Sequence, residues 1–312
     1  MSKNTTLKHS IFSTLTFFLI LTTLSACQRT PTPFIPPGNI TLQPGETPAV
    51  PTEPSPPPTP TPTNTPIPLA LTVNSEAITL AEYEASLARL LAAQPDLPPE
   101  EARTRVLDEL TDQLLLSQAA TQAGFVVDAP TLDAHIQALA EQIGGADALH
   151  TWLAANFYTE ELFQLELRRS LAAAWMRDQI AAGVPTVAEQ VHVRQLLLFS
   201  ASEANEVYAQ LQGGVPFDLM VSYYDPVSLG DLGWFPRGYL FETAIEEMAF
   251  SQEIGAYSPV IETRIGFHII QTLDRQPDRP LDPEVLRALQ EKALRQWVEQ
   301  QRATASITVL IP

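Results

Sequence analysis

Cysteine is all but missing from this chain: Cys27 is the only one in 312 residues. A disulfide framework is therefore excluded, and so is any site built from several thiolates. Positive charge is scarce as well, with 18 Lys and Arg against 36 Asp and Glu and a net charge of −18 at pH 7. Such a surface repels phosphate, which argues against nucleic acid or anionic lipid as a direct partner. Neither His-Glu-x-x-His nor Gly-x-Ser-x-Gly occurs, which leaves zinc-helix and nucleophile-elbow hydrolases without support. No spacing of His, Cys and acidic residues suggests a metal, and no cofactor is called for.

What is present begins with a leader. Lys3 and Lys8 precede an apolar run from Ile11 to Leu24, shorter than the ~20 residues a bilayer span needs. The run ends in Leu24-Ser25-Ala26-Cys27. A charged start, a short apolar stretch and small residues at its end read as a secretory signal peptide over 1–26. The last four residues resemble a bacterial lipobox, which implies lipidation at Cys27 and an extracytoplasmic protein anchored to a bacterial cell membrane. Residues 27–68 read as a tether, because 15 of the 28 prolines lie between Pro31 and Pro68 among Thr and Ser. A segment so poor in apolar side chains cannot offset its ordering entropy, and proline biases it to extended polyproline II. At ~3.1 Å per residue it reaches up to ~120 Å.

Residues 69–188 read as mainly helical. A strand is predicted over 69–74, followed by Ile78. Thr79 with Glu82 three residues later forms a capping-box pattern ahead of Leu80, Tyr83, Leu87, Leu90 and Leu91 at helical spacing. Pro98-Pro99-Glu100-Glu101 opens a second helix that stops at Gly124. Helices are also predicted from about Thr131 to Ile143 and from Thr159 to Ile180, with Gly144-Gly145 and a shorter helix between them. Near the end, Pro283 to Gln301 is helical by period, and 307–311 alternates as a strand. An unpaired edge strand is an aggregation hazard, so 69–74 is expected to pair with 306–311.

Residues 189–275 change character. Val191 to Phe199 predicts a central strand, Ala204–Leu211 and Phe217–Tyr224 predict helices, and so does Glu242–Phe250. Two strands are predicted around Val260-Ile261 and over 267–273. Gly230-Asp231-Leu232-Gly233-Trp234-Phe235 predicts a glycine-punctuated turn, and Gly266-Phe267-His268-Ile269-Ile270 alternates like a half-buried strand. The fold class is α+β, a mostly antiparallel sheet with flanking helices.

Those two strings, in that order, resemble the signature of parvulin-type peptidyl-prolyl isomerases. The helical part, with Val73-Asn74, Ile78-Thr79, Glu82, Leu114, Gln118-Ala119, Gly124 and Gly144-Gly145, resembles the chaperone domain of SurA- and PrsA-type foldases. The resemblance implies a parvulin-like domain over 189–275, inserted in a chaperone-like domain formed by 69–188 and completed by 282–312. It implies unfolded or partly folded exported polypeptides as partners. It assigns His268 to the family histidine of the last strand, Asp225 to an acidic group near the substrate amide, and Leu232, Leu240 or Phe241, and Ile245 to the proline pocket, with Phe250 behind it. On the first strand parvulins carry a histidine followed by two aliphatics, whereas this chain has Gln195-Leu196-Leu197. His192, three residues away on a strand, falls on the other face and cannot replace it. Two activities stay open: isomerisation of X-Pro bonds, with Gln195 in the site, or a non-catalytic holdase whose parvulin domain only binds.

Overall fold

The structure, a computed structural model, describes residues 67–311. The expected signal peptide, Cys27 and the tether up to residue 66 lie outside the described residues.

The described chain opens as a hairpin. β1 (Leu69–Val73) and β2 (Glu76–Thr79) pair antiparallel, where a single strand followed by Ile78 is predicted. Asn74 makes the turn with φ +54°, a left-handed conformation that Asn tolerates better than most residues. Thr79 then caps α1 (Leu80–Ala93) with the reciprocal bonds of a capping box. One Glu82 oxygen accepts from the Thr79 amide at 2.7 Å, and the other accepts from Arg169 at 2.6 Å. Glu82 is buried, and a carboxylate tolerates burial only when its oxygens are occupied in this way.

Proline at the first turn opens α2 (Pro99–Gln122), which runs against α5 (Glu160–Ala182). Between them lie α3 (Ala129–Ile143), capped by Asp128 and ended by left-handed Gly144, and α4 (Ala146–Ala155). Far along the chain, α9 (Pro283–Thr304) returns to α5 and α2, and β7 (Ile307–Val309) pairs antiparallel with β1 to give the order β2-β1-β7. The expected meeting of the two ends is therefore present.

Asn74 ties that meeting together. Its amide donates to Ser306 O at 2.8 Å, its Oδ1 accepts from Ser306 N at 3.1 Å, and its Nδ2 donates to Gln118 Oε1 at 2.8 Å. Gln118 Nε2 donates in turn to Val73 O at 3.0 Å. Arg302 adds a fork, donating to Asp112 at 2.5 Å and to Asp108 Oδ1 at 2.8 Å.

The second part is built on a four-stranded antiparallel sheet of order β4-β3-β6-β5. In chain order it comprises β3 (Val187–Leu198), α6 (Ala201–Gln212), α7 (Phe217–Tyr224), β4 (Asp231–Pro236), α8 (Thr243–Ser251), β5 (Ile261–Thr263) and β6 (Gly266–Pro280). β3 is interior and apolar on both faces. Leu196 and Leu198 pack with Ile269 under α6 and α7, while Val191 and Val193 pack with Phe235 and Ile270 under α8.

One prediction needs correction. Gly230–Phe235 is expected as a turn, but Asp231–Pro236 is a strand paired to β3. A bulge between the Val193–Gly233 and Arg194–Asp231 pairs, with Gly233 at φ +70°, absorbs the glycine and keeps Phe235 fully buried. Strands β3 and β6 also run beyond the predicted limits of 189–275 at both ends.

Candidate active site

The site forms on the α8 face of the sheet, where β3 and β6 lie side by side. Leu197 is opposite His268 and Gln195 is opposite Ile270, so Gln195 and His268 are diagonal neighbours on one face. His268 is 1% exposed. Its Nδ1 lies 2.8 Å from Gln195 Oε1, and its Nε2 lies 2.8 Å from Thr263 Oγ1 on β5. Burial holds the imidazole below its usual range, with the Glu242 carboxylate pulling weakly the other way. A neutral ring satisfies this pair with Nδ1–H donating to the Gln195 carbonyl oxygen and Nε2 left to accept from the Thr263 hydroxyl.

The apolar wall beside it comes from β4, the following loop and α8. Ile245 and Phe250 are buried with Phe235 and Ile270, and Leu232 and Leu240 cover them as half-buried side chains. Leu232 and Leu240 therefore offer the accessible surface and Ile245 and Phe250 the backing. Phe241 is outside this cluster: it is 80% exposed, with the Arg264 guanidinium 4.8 Å from its ring centroid. Of the two residues left open by the sequence, Leu240 is the one brought to the wall.

Asp225 sits one step away from the imidazole. Its carboxylate accepts from the Ser228 amide at 3.0 Å, from the Ser228 hydroxyl, and from the Gly230 amide at 3.2 Å. These bonds hold the carboxyl below its usual range, and they tie it to the loop. The loop in turn touches Gln195, whose amide donates to Gly230 O at 2.8 Å. A Cβ on Gly230 would lie 2.0 Å from Gln195 O, and one on Gly266 would lie 2.6 Å from Leu198 O. Gly230 and Gly266, the first residues of the two strings, are thus required by close backbone approach.

His192 falls on the opposite face, as expected. It stacks on Trp234 with ring centroids 5.4 Å apart and meets Asp231 Oδ1 at 2.8 Å.

The family model for a SurA-like N-terminal domain matches residues 60–177, and that for a PPIC-type PPIASE domain matches residues 200–274. The chain thus joins a SurA-like N-terminal domain to a parvulin-type, PPIC-type domain. Its relatives include a protein named foldase protein PrsA from Geobacillus kaustophilus, 27% identical over 55% of this chain and 62% of that protein. Another is a chaperone SurA from Chromobacterium violaceum, 25% identical over 65% of this chain and 56% of that protein. The chain thus spans somewhat less than two thirds of these relatives' length. A crystal structure described as peptidylprolyl isomerase (PrsA) from Bacillus cereus is 20% identical and covers 73% of this chain and 86% of its own, with a TM-score of 0.44.

Two residues of this parvulin-type site escape sequence reasoning. Thr263 contacts His268 only because β5 and β6 form a tight hairpin that sets Thr263 opposite Gly266. Glu246 is buried on α8, and its carboxylate accepts from the Gly238 amide at 2.7 Å and the Leu240 amide at 3.1 Å. It thereby fixes the loop that presents Leu240. A signal for it existed: Glu246 shares a helical face with Ala249 and Phe250, and an acid on an apolar face requires partners. The same loop is held from α9, where Lys292 Nζ donates to Gly238 O at 2.6 Å.

Proposed function

We propose that this chain is an extracytoplasmic foldase that binds unfolded exported polypeptides and catalyses cis/trans isomerisation of X-Pro bonds. The observation that carries the reading is His268, buried and held between Gln195 and Thr263 beside the Leu232–Leu240 wall, within the PPIC-type match. The relatives' names, foldase and chaperone, support the polypeptide-binding half of it.

The reaction asks little of a protein. Amide resonance sets a barrier of ~18–20 kcal/mol, and each ~1.4 kcal/mol of preferential binding to the twisted amide is worth tenfold in rate. In the proposed mechanism, Leu232 and Leu240 seat the proline ring, while Ile245 and Phe250 keep that surface rigid. Half-buried Gln195, held in one orientation by His268, supplies a polar edge to the rotating carbonyl, and Asp225 sets the neighbouring loop. No bond is made or broken other than hydrogen bonds, so no metal or cofactor enters.

A second reading has one observation in its favour. Gln195 stands where the resembling family has a histidine, which fits a holdase whose parvulin part binds without turnover. A protease-coupled prolyl isomerisation assay on the wild type and on Gln195→His separates the two. If the site is an isomerase short of one imidazole, Gln195→His raises the rate severalfold, since a ring there still reaches His268 Nδ1. If neither protein shows turnover while both suppress aggregation of an unfolded client, the holdase reading replaces the enzyme.

Anchoring belongs to the same proposal. Lipidation of Cys27 behind the Leu24-Ser25-Ala26 string would attach the chain to the membrane through the proline-rich tether. Cys27→Ala should then move the protein out of the membrane fraction, and persistence there as an unprocessed precursor would argue for a plain anchor instead.

A further inference from the structure

From Val106 to Leu167 the chain contains no Lys or Arg at all. Part of this stretch folds as α3, α4 and the start of α5 around a cleft of ≈510 Å³. Its floor is apolar, with Ile136, Leu149 and Phe163 among the lining side chains, and it belongs to a small hydrophobic cluster separate from the main cores. Beside that cluster Trp152 stacks on Tyr158 at 5.9 Å and meets the lining residue Phe163 edge-on at 6.4 Å, yet is still 43% exposed. The rim carries Asp133, Glu141 and Glu160, all exposed.

Among the described residues these rim charges have no lysine or arginine partner. Glu141 accepts from Gln137 at 3.0 Å, and Glu160 has only His150 Nδ1 at 3.6 Å. Of the arginines on α1 and α5, Arg89 is committed to Glu166 and Arg169 to Glu82, while Arg168 lies one turn beyond the lining residue Gln164, outside the rim. An apolar floor under a one-signed rim selects its occupant: apolar side chains fill the cleft, and a cationic residue beside them meets the acids.

We propose that this cleft binds extended peptide segments in which apolar residues are flanked by lysine or arginine. The proposal rests on the foldase reading and narrows it, since it makes the helical part a selector of cationic amphipathic clients. Exposed charges in water interact over roughly one Debye length, ~10 Å at 0.1 M salt, so the preference is salt-sensitive whereas the apolar contribution is not.

The test uses the full chain and short fluorescein-labelled peptides that share Leu and Phe positions and differ only in flanks of Lys, Ser or Glu. Fluorescence anisotropy at low salt should show the Lys-flanked peptide binding about tenfold more tightly than the Glu-flanked one, narrowing to about twofold near 0.5 M salt. Neutralising the rim with Asp133→Asn, Glu141→Gln and Glu160→Gln, all at exposed positions, should erase the discrimination while leaving the Ser-flanked affinity unchanged. Gln137→Trp, an exposed lining residue enlarged into the cleft, should weaken all three peptides with the rim charge intact. Equal affinity for all flanks, or an unaltered Lys-flanked affinity in Gln137→Trp, overturns the proposal. Client aggregation assays keep the two readings apart. Suppression without any peptide binding in the cleft sinks this proposal alone. Selective peptide binding without suppression or isomerisation sinks the foldase reading alone.

Discussion

Deleting residues 302–312 lowers the melting temperature of the chain by ~10 °C, with the loss concentrated in the helical part. The deletion removes β7, the pairing of Ser306 with Asn74, and the Arg302 fork to Asp108 and Asp112. β1 then becomes an open edge while Leu71 and Val73 still need to be buried. Asp112, whose carboxyl is already pushed up by desolvation against the pull of Arg302, loses its partner. Each net hydrogen bond is worth ~0.5–1.5 kcal/mol, and the half-exposed ion pairs count for less than buried ones. The total is on the order of 3–5 kcal/mol, which for a chain of this size corresponds to the stated shift. Hydrogen exchange locates it: amides of β1, β2 and α2 should exchange faster, while those of β3 and β6 keep their protection. Identical melting of the full and shortened chains would show that the paired ends contribute no stability.

His268→Ala has the largest expected effect on turnover, at least a tenfold fall in isomerisation rate, with a stability loss of ~2–4 kcal/mol from the cavity and the orphaned Gln195 and Thr263 partners. Circular dichroism at the assay temperature separates the two effects. The acid limb gives an independent readout. Burial sets the folded pKa of His268 below the ordinary value of about 6.5. The unfolded chain therefore takes up the proton first, so the stabilisation this group provides is complete above pH ~6.5 and declines as pH falls from there toward the folded value. Wild type should lose this increment on acidification and His268→Ala should not. An unchanged rate in a folded His268→Ala protein would remove the imidazole from the proposed mechanism.

Local chemistry made most elements legible before any tertiary information. The Thr79–Glu82 capping box, Pro99 at the first turn of α2, Thr159 ahead of α5 and the left-handed Gly144 all act within about one helical turn, and each appears at the predicted place. Alternation in β3 likewise separated Gln195 from His192, because strand faces depend only on parity. The string at Gly230–Phe235 reads as a turn because glycines favour turns in isolation. Pairing with β3 decided otherwise, with a bulge taking up the left-handed Gly233.

By itself the sequence determined the excess of acid, the clustering of proline ahead of residue 69, most of the order of elements and the identity of the parvulin strings. These rest on composition and on interactions between residues close along the chain. Only the tertiary structure decided that Gln195 meets His268 across 73 residues of sequence, and that Thr263 closes the other ring nitrogen. It also placed Leu240 at the wall, left Phe241 outside, and put Glu246 beneath the loop. Those outcomes depend on strand register and on which face α8 covers, and a shift of one residue in the pairing of β3 with β6 would put Gln195 and His268 on opposite faces.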